Sequence, residues 1–93
     1  MMIKKVQINV SGRVQGVGFR FFTYQQATKQ GLVGYVQNLD NGDVKIIAQG
    51  DNLQIAKLIQ WIESGGPASA SISLVNIVEL KPQNDLTSFN VRY

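Results

Sequence analysis

Polar and apolar residues alternate near the start of the chain. Val6, Ile8 and Val10 are separated by Gln7, Asn9 and Ser11, the period of a strand with one face buried. The stretch "GRVQGVGFR" (Gly12–Arg20) breaks that alternation, and "RFFTYQQATKQGL" after it has the length of a helix. Its apolar positions Phe19, Phe22, Thr23 and Ala27 form only a moderately clean face. Gly31-Leu32 offers a C-terminal stop, a left-handed turn followed by a closing apolar contact. "LVGYVQN" and "VKIIAQG" then flank "LDNG", a hairpin signal because Asn41 and Gly42 both accept positive φ at little cost. The second of these strands alternates Val44, Ile46 and Ala48. A second helix is the clearest element, with Ile55, Leu58, Ile59 and Ile62 at i, i+3, i+4 and i+7. Asp51 with Gln54 resembles a capping box, and Gly65-Gly66-Pro67 ends the element. After "PASAS" come "ISLVNIVEL" and a short "SFNVRY", in which Phe89, Val91 and Tyr93 alternate.

The predicted order is strand, helix, strand, strand, helix, strand and a short last strand, in a single domain over residues 1–93. Two helices cover only one face of such a sheet. The expected class is α+β, a ferredoxin-like two-layer α/β sandwich (βαββαβ plus a short C-terminal strand) with both helices on one face of a mostly antiparallel sheet. A central parallel pair joined by right-handed helical crossovers is part of that expectation. The fold alone does not choose a function.

Composition narrows the chemistry mainly by what it lacks. The chain has 93 residues, 44% of them hydrophobic, and neither Cys nor His. Disulfides, thiolate nucleophiles, imidazole bases, sulfur metal sites and ordinary zinc sites are excluded. Catalysis must then rest on Arg, Asn, carboxylates, Tyr, hydroxyls, backbone amides or water. No long apolar run spans a membrane and no signal peptide precedes the first strand, which points to a cytoplasmic protein. The net charge of +3 comes from scattered Lys and Arg, which suits a small anion better than a nucleic-acid backbone. "VQINV" and "VKIIAQG" also lack the aromatic residues on which RNA-binding domains of this general fold stack bases.

Two local features carry the candidate chemistry. Gly12, Gly16 and Gly18 allow the backbone N–H groups from Gln15 to Arg20 to point into one cup at the start of a helix, which is a ready anion site. Gln15, Gly16, Val17, Gly18, Phe19 and Arg20 are therefore the candidate phosphate-binding residues. Arg20 adds a planar fork of donors matched to phosphate oxygens. A cation at a helix start is disfavoured unless an anion lies between them, so its placement asks for a ligand. A glycine-rich turn can also serve steric needs alone, and this one is neither a Walker loop nor a dinucleotide fingerprint. Asn38, where its strand runs into the hairpin, can hold an attacking water beside a bound phosphoryl group, or else bond its own turn backbone. Asp40 and Asp43 read as turn and solubility residues, and Tyr24, Tyr35 and Trp61 as core or edge packing.

"GRVQGVGFR" and "GYVQNLDNGDVKIIAQG" together resemble the two signature segments of the acylphosphatases, in the same order and spacing, and the likeness runs over essentially the whole chain. The resemblance implies hydrolysis of the carboxyl–phosphate anhydride of acyl phosphates to a carboxylate and inorganic phosphate, without metal or covalent enzyme intermediate. It implies that the Gln15–Arg20 amides and Arg20 bind the phosphate and that Asn38 orients the water. Leu39 stands where some relatives carry a small hydroxyl residue, and Tyr93 is implied as a neighbour of the arginine. The partners implied are a small-molecule acyl phosphate and inorganic phosphate or a similar anion, with the chain a monomer. The alternative is a non-catalytic phosphate- or acyl-phosphate-binding domain of the same type, as occurs inside larger proteins that mature hydrogenases and handle carbamoyl phosphate. The length of the chain favours the free-standing enzyme.

Overall fold

Each predicted strand and helix forms, and the core is built where an alternating or helical period marks out a buried face. The structure is a computed structural model describing residues 2–93. It comprises β1 (Ile3–Arg13), α1 (Phe19–Lys29), β2 (Val33–Asn38), β3 (Val44–Asp51), α2 (Asn52–Glu63), β4 (Ser71–Leu80) and β5 (Phe89–Arg92). Val6, Ile8 and Val10 of β1, Val36 of β2, and Val44, Ile46 and Ala48 of β3 are fully buried on one sheet face. Phe19 and Ala27 of α1 join Ile55, Leu58 and Ile62 of α2 in the same core. At roughly 1.5–3 kcal/mol for each large apolar side chain buried, this shared core is the main force holding the layers together.

The strands run β4-β1-β3-β2-β5 in one sheet. β1 pairs antiparallel with β3 and β4, β2 pairs antiparallel with β3, and only β2 and β5 pair in parallel. The expected central parallel pair is thus corrected. β3 lies between β1 and β2, and the middle of the sheet is antiparallel. β4 and β5 occupy opposite edges, so the segment between them crosses the sheet on the face away from the helices. Gln83 fastens it there. Its N–H donates to Gln49 Oε1 (2.8 Å), its carbonyl accepts from Gln49 Nε2 (2.7 Å), and its Oε1 accepts from the Lys5 ammonium.

The helix ends show which local signals were realised. Gly31 N–H bonds the Thr28 carbonyl and Leu32 N–H the Ala27 carbonyl, the paired 5→2 and 6→1 bonds of a Schellman stop. The same pairing closes α2 through Gly65 and Gly66. The capping box does not form: Asp51 occupies the N-cap of α2 without a side-chain hydrogen bond. In the hairpin only Gly42 takes positive φ (95°), while Asn41 does not. Leu39 and Gly42 close a turn (Gly42 N–H to Leu39 carbonyl, 3.2 Å), and Asn41 Oδ1 accepts from Asp43 N–H instead.

Candidate active site

The loop between β1 and α1 is held in place by a side chain. Gln15 Nε2 donates to the carbonyls of both Leu39 and Asp43, each at 2.8 Å, and so ties the loop to the β2–β3 hairpin. Asp43 completes the tie to β1, its Oδ2 accepting from Asn9 Nδ2 at 2.7 Å. Asp43 is therefore a structural clasp rather than a solubility residue. Replacing Gln15 with leucine keeps similar bulk but removes two hydrogen bonds, leaving the Leu39 carbonyl with only Gly42 N–H and the Asp43 carbonyl with only Leu39 N–H. The expected result is a loss of about 1–3 kcal/mol in stability, read as a lower urea midpoint with unchanged m-value.

Beyond Gln15 the chain turns sharply into α1. Gly18 is the N-cap with φ 81° and ψ 15°, a left-handed conformation that glycine adopts without strain. The first helical bond runs from Phe22 N–H to the Gly18 carbonyl at 3.1 Å. The amides of Phe19, Arg20 and Phe21 precede it and have no acceptor inside the helix. No side chain caps this end and no acidic residue lies in its first turn. The partial positive charge of the helix start is left for a ligand to meet.

Arg20 lies on that first turn. One guanidinium N–H donates to the Arg92 carbonyl at 3.0 Å, and the guanidinium carbon stands 4.6 Å from the centre of the Tyr93 ring. Neither partner is an anion, and four of the five N–H donors of the fork remain for other use. β5 thus aims the cation that α1 carries. Asn38 reaches the same place from the end of β2, directly beneath the hairpin. Its Oδ1 is buried and accepts no hydrogen bond from the described residues. Thr23 Oγ1 shares that condition, but it lies in the core, where a helical hydroxyl can turn toward a carbonyl of the preceding turn.

These groups meet in a cleft of about 220 Å³, small beside the ~300–1,000 Å³ of sites that enclose drug-sized ligands. Gly16, Gly18, Phe19, Arg20 and Asn38 line it, together with Val14, Phe21, Val91 and Tyr93. Gln15 and Val17 do not. Gln15 turns to the hairpin, and Val17 packs on the core while its carbonyl accepts from Ser69 Oγ at 2.7 Å. Val14, inside the glycine loop, was not read from the sequence as a site residue, and nor were Phe21 and Val91. Neither Phe21 nor Val91 belongs to a motif, and only the docking of β5 beside β2 brings Val91 and Tyr93 to the loop. The predicted helix face needs one correction: Phe22 is 39% exposed, and its ring lies against Gly18 rather than in the core.

Among the described residues no three or more His, Cys, Asp or Glu gather as metal ligands, and no helix is long and apolar enough to cross a membrane. What the cleft offers is free amides, a guanidinium fork and the side-chain amide of Asn38. That set can hold a tetrahedral anion on one side and a water on the other.

Comparison with known proteins shows the family of the chain. The acylphosphatase family model matches residues 6–91. The acylphosphatase from Bacillus subtilis is 33% identical over 99% of this chain and 100% of its own, with a TM-score of 0.89. The acylphosphatase from Coxiella burnetii is 38% identical over 97% of this chain and 93% of its own, with a TM-score of 0.90. Full-length HypF, solved in its phosphate- and nucleotide-bound form, matches 99% of this chain with 12% of its own length, at 32% identity and a TM-score of 0.91. The chain belongs to the acylphosphatase family of hydrolases.

Proposed function

We propose that this acylphosphatase cleaves acyl phosphates by direct attack of water on phosphorus, with Arg20 and the loop amides holding the phosphoryl group and Asn38 holding the water. The observation that carries this reading is that Asn38, at the end of β2, lines the same cleft as Arg20 and the loop. The side-chain amide of Asn38 holds a water by a hydrogen bond and leaves a lone pair of the water free to face phosphorus. The water oxygen forms the new P–O bond, the bond from phosphorus to the acyl oxygen breaks, and the carboxylate departs with the electron pair. One water proton stays on the new phosphate hydroxyl and the other is released to solvent or phosphate.

The leaving carboxylate is a weak base and needs no proton from the protein. Phosphoryl transfer of this kind has a loose transition state, and positioning with charge stabilisation supplies most of the catalysis. A chain without His and Cys is equipped for that task. The same reading assigns the reaction to one domain, residues 1–93, working as a cytoplasmic monomer, in keeping with the small, cysteine-free sequence.

The test is hydrolysis of benzoyl phosphate, followed by its ultraviolet absorbance, in the presence of EDTA. Turnover well above the spontaneous rate, unchanged by the chelator, is expected. A protein that binds inorganic phosphate yet turns over nothing would instead be a binding domain of the same type.

A further inference from the structure

We infer that Ser69 is a positioning residue for the reaction: by holding the Val17 carbonyl away from the cleft, its hydroxyl turns the Gly18 N–H toward the bound phosphoryl group. This inference rests on the hydrolytic reading above. The Val17–Gly18 peptide is trans, so its carbonyl and its N–H point to opposite sides. Ser69 Oγ donates to that carbonyl at 2.7 Å, from the connector between α2 and β4. Gly18 lines the cleft, while Val17 and Ser69 do not. The Gly18 N–H thus faces away from Ser69, and no backbone acceptor meets it among the described residues.

Local sterics leave that peptide free to turn over. A flip takes φ at Gly18 from 81° into the negative region, and glycine accepts both. The flipped peptide would present the Val17 carbonyl, an acceptor, to an anion. Other ties stop short of it. Gln15 fixes the loop two residues upstream, and Phe22 N–H holds the Gly18 carbonyl downstream. The peptide between them is left to Ser69. Ser69 is exposed, yet its backbone is held. Ala70 N–H bonds the Pro67 carbonyl at 3.0 Å and closes a turn around residues 68 and 69. Just before that turn, Gly66 sits so close to Phe19 that a β-carbon there would stand 3.2 Å from the ring. The connector is therefore seated against the start of α1, and its one hydroxyl on Val17 sets a donor in the site.

Losing a hydrogen bond of this kind corresponds to about twofold to tenfold in an equilibrium constant. The experiment measures kcat and KM for benzoyl phosphate, and the Kd of inorganic phosphate by calorimetry, in the unmodified protein, Ser69→Ala and Ser69→Thr. Ser69→Ala is expected to raise KM and the phosphate Kd together by about threefold to tenfold, with kcat changed less and the urea midpoint unmoved. Ser69→Thr keeps the hydroxyl and should stay within about twofold of the unmodified protein, a rescue that a purely structural role would not give. KM and Kd unmoved in Ser69→Ala, or raised equally in Ser69→Thr, overturn the positioning role and leave the hydrolase standing. Absence of turnover by the unmodified protein overturns the hydrolytic reading, and the positioning role with it.

Discussion

Replacing Arg20 with alanine is expected to lower kcat/KM for an acyl phosphate by about 10²–10³ while the protein stays folded, by analogy with the loss of one well-aimed donor to a developing anion. The fold gives Arg20 little structural work. It makes one hydrogen bond to the Arg92 carbonyl and one ring contact with Tyr93, both at the surface. Against those small losses stand two gains. Alanine is the best helix former, and its introduction removes a cation from the positive end of the α1 dipole, an unfavourable placement worth about 0.3–1 kcal/mol. Urea unfolding should therefore show stability unchanged or slightly raised beside a severe loss of turnover. Inorganic phosphate should also inhibit the variant more weakly, because the same fork holds product and substrate. Arg20→Lys keeps the charge but not the planar pair of donors, and should fall between the two. An alanine variant with full activity would remove Arg20 from the mechanism.

That combination, activity lost without stability, separates a residue kept for chemistry from one kept for the fold. Gln15 is the opposite case. Its side chain satisfies two carbonyls and fixes the loop, so its loss should appear first in unfolding. Both residues sit in one nine-residue window of sequence, and only the structure tells them apart.

Periodicity made the elements legible, since Val6/Ile8/Val10 and Ile55/Leu58/Ile62 each mark a face that is in fact buried. It could not order the strands. The same alternation in β1, β2 and β3 fits a parallel or an antiparallel centre, and the choice follows from how both helices pack on one face. α1 was the less clear helix for a physical reason: Phe21, Phe22 and Tyr24 are exposed, and the buried positions Phe19, Thr23 and Ala27 form a narrow stripe. The capping box failed because it rests on a short-range pattern, while the start of α2 follows directly from β3 and is fixed by its neighbours, Asn52 N–H donating to the Met2 carbonyl.

The candidate site divides in the same way. Glycine spacing and a residue at a strand end are local signals, and they pointed to Gly16, Gly18, Arg20 and Asn38, which line one cleft. Its other wall was illegible. Arg92 lies 72 residues from Arg20, and what brings it there is the segment that crosses the sheet and lets β5 pair with β2. No pattern near Phe21 announces that an exposed aromatic ring faces a site.

Asn38→Ala should reduce kcat by about 10²–10³ with KM nearly unchanged, because a group that orients the nucleophile acts on the transition state more than on bound substrate. Its stability signature is as informative as its kinetics. Oδ1 is a buried acceptor with no donor among the described residues, and such an atom ordinarily costs about 1–3 kcal/mol. Removing it relieves that cost, so the variant should unfold at an equal or higher urea concentration than the parent despite losing a side chain at the end of β2. Asn38→Asp sharpens the test. The carboxylate keeps an acceptor for water but sets a negative charge beside the phosphoryl group, so KM should rise along with the fall in kcat. If alanine raises KM and spares kcat, Asn38 holds phosphate and not water, and the source of the oriented nucleophile must be sought elsewhere in the cleft. If kcat falls alone, an amide that weakens the fold is retained because it places the attacking oxygen.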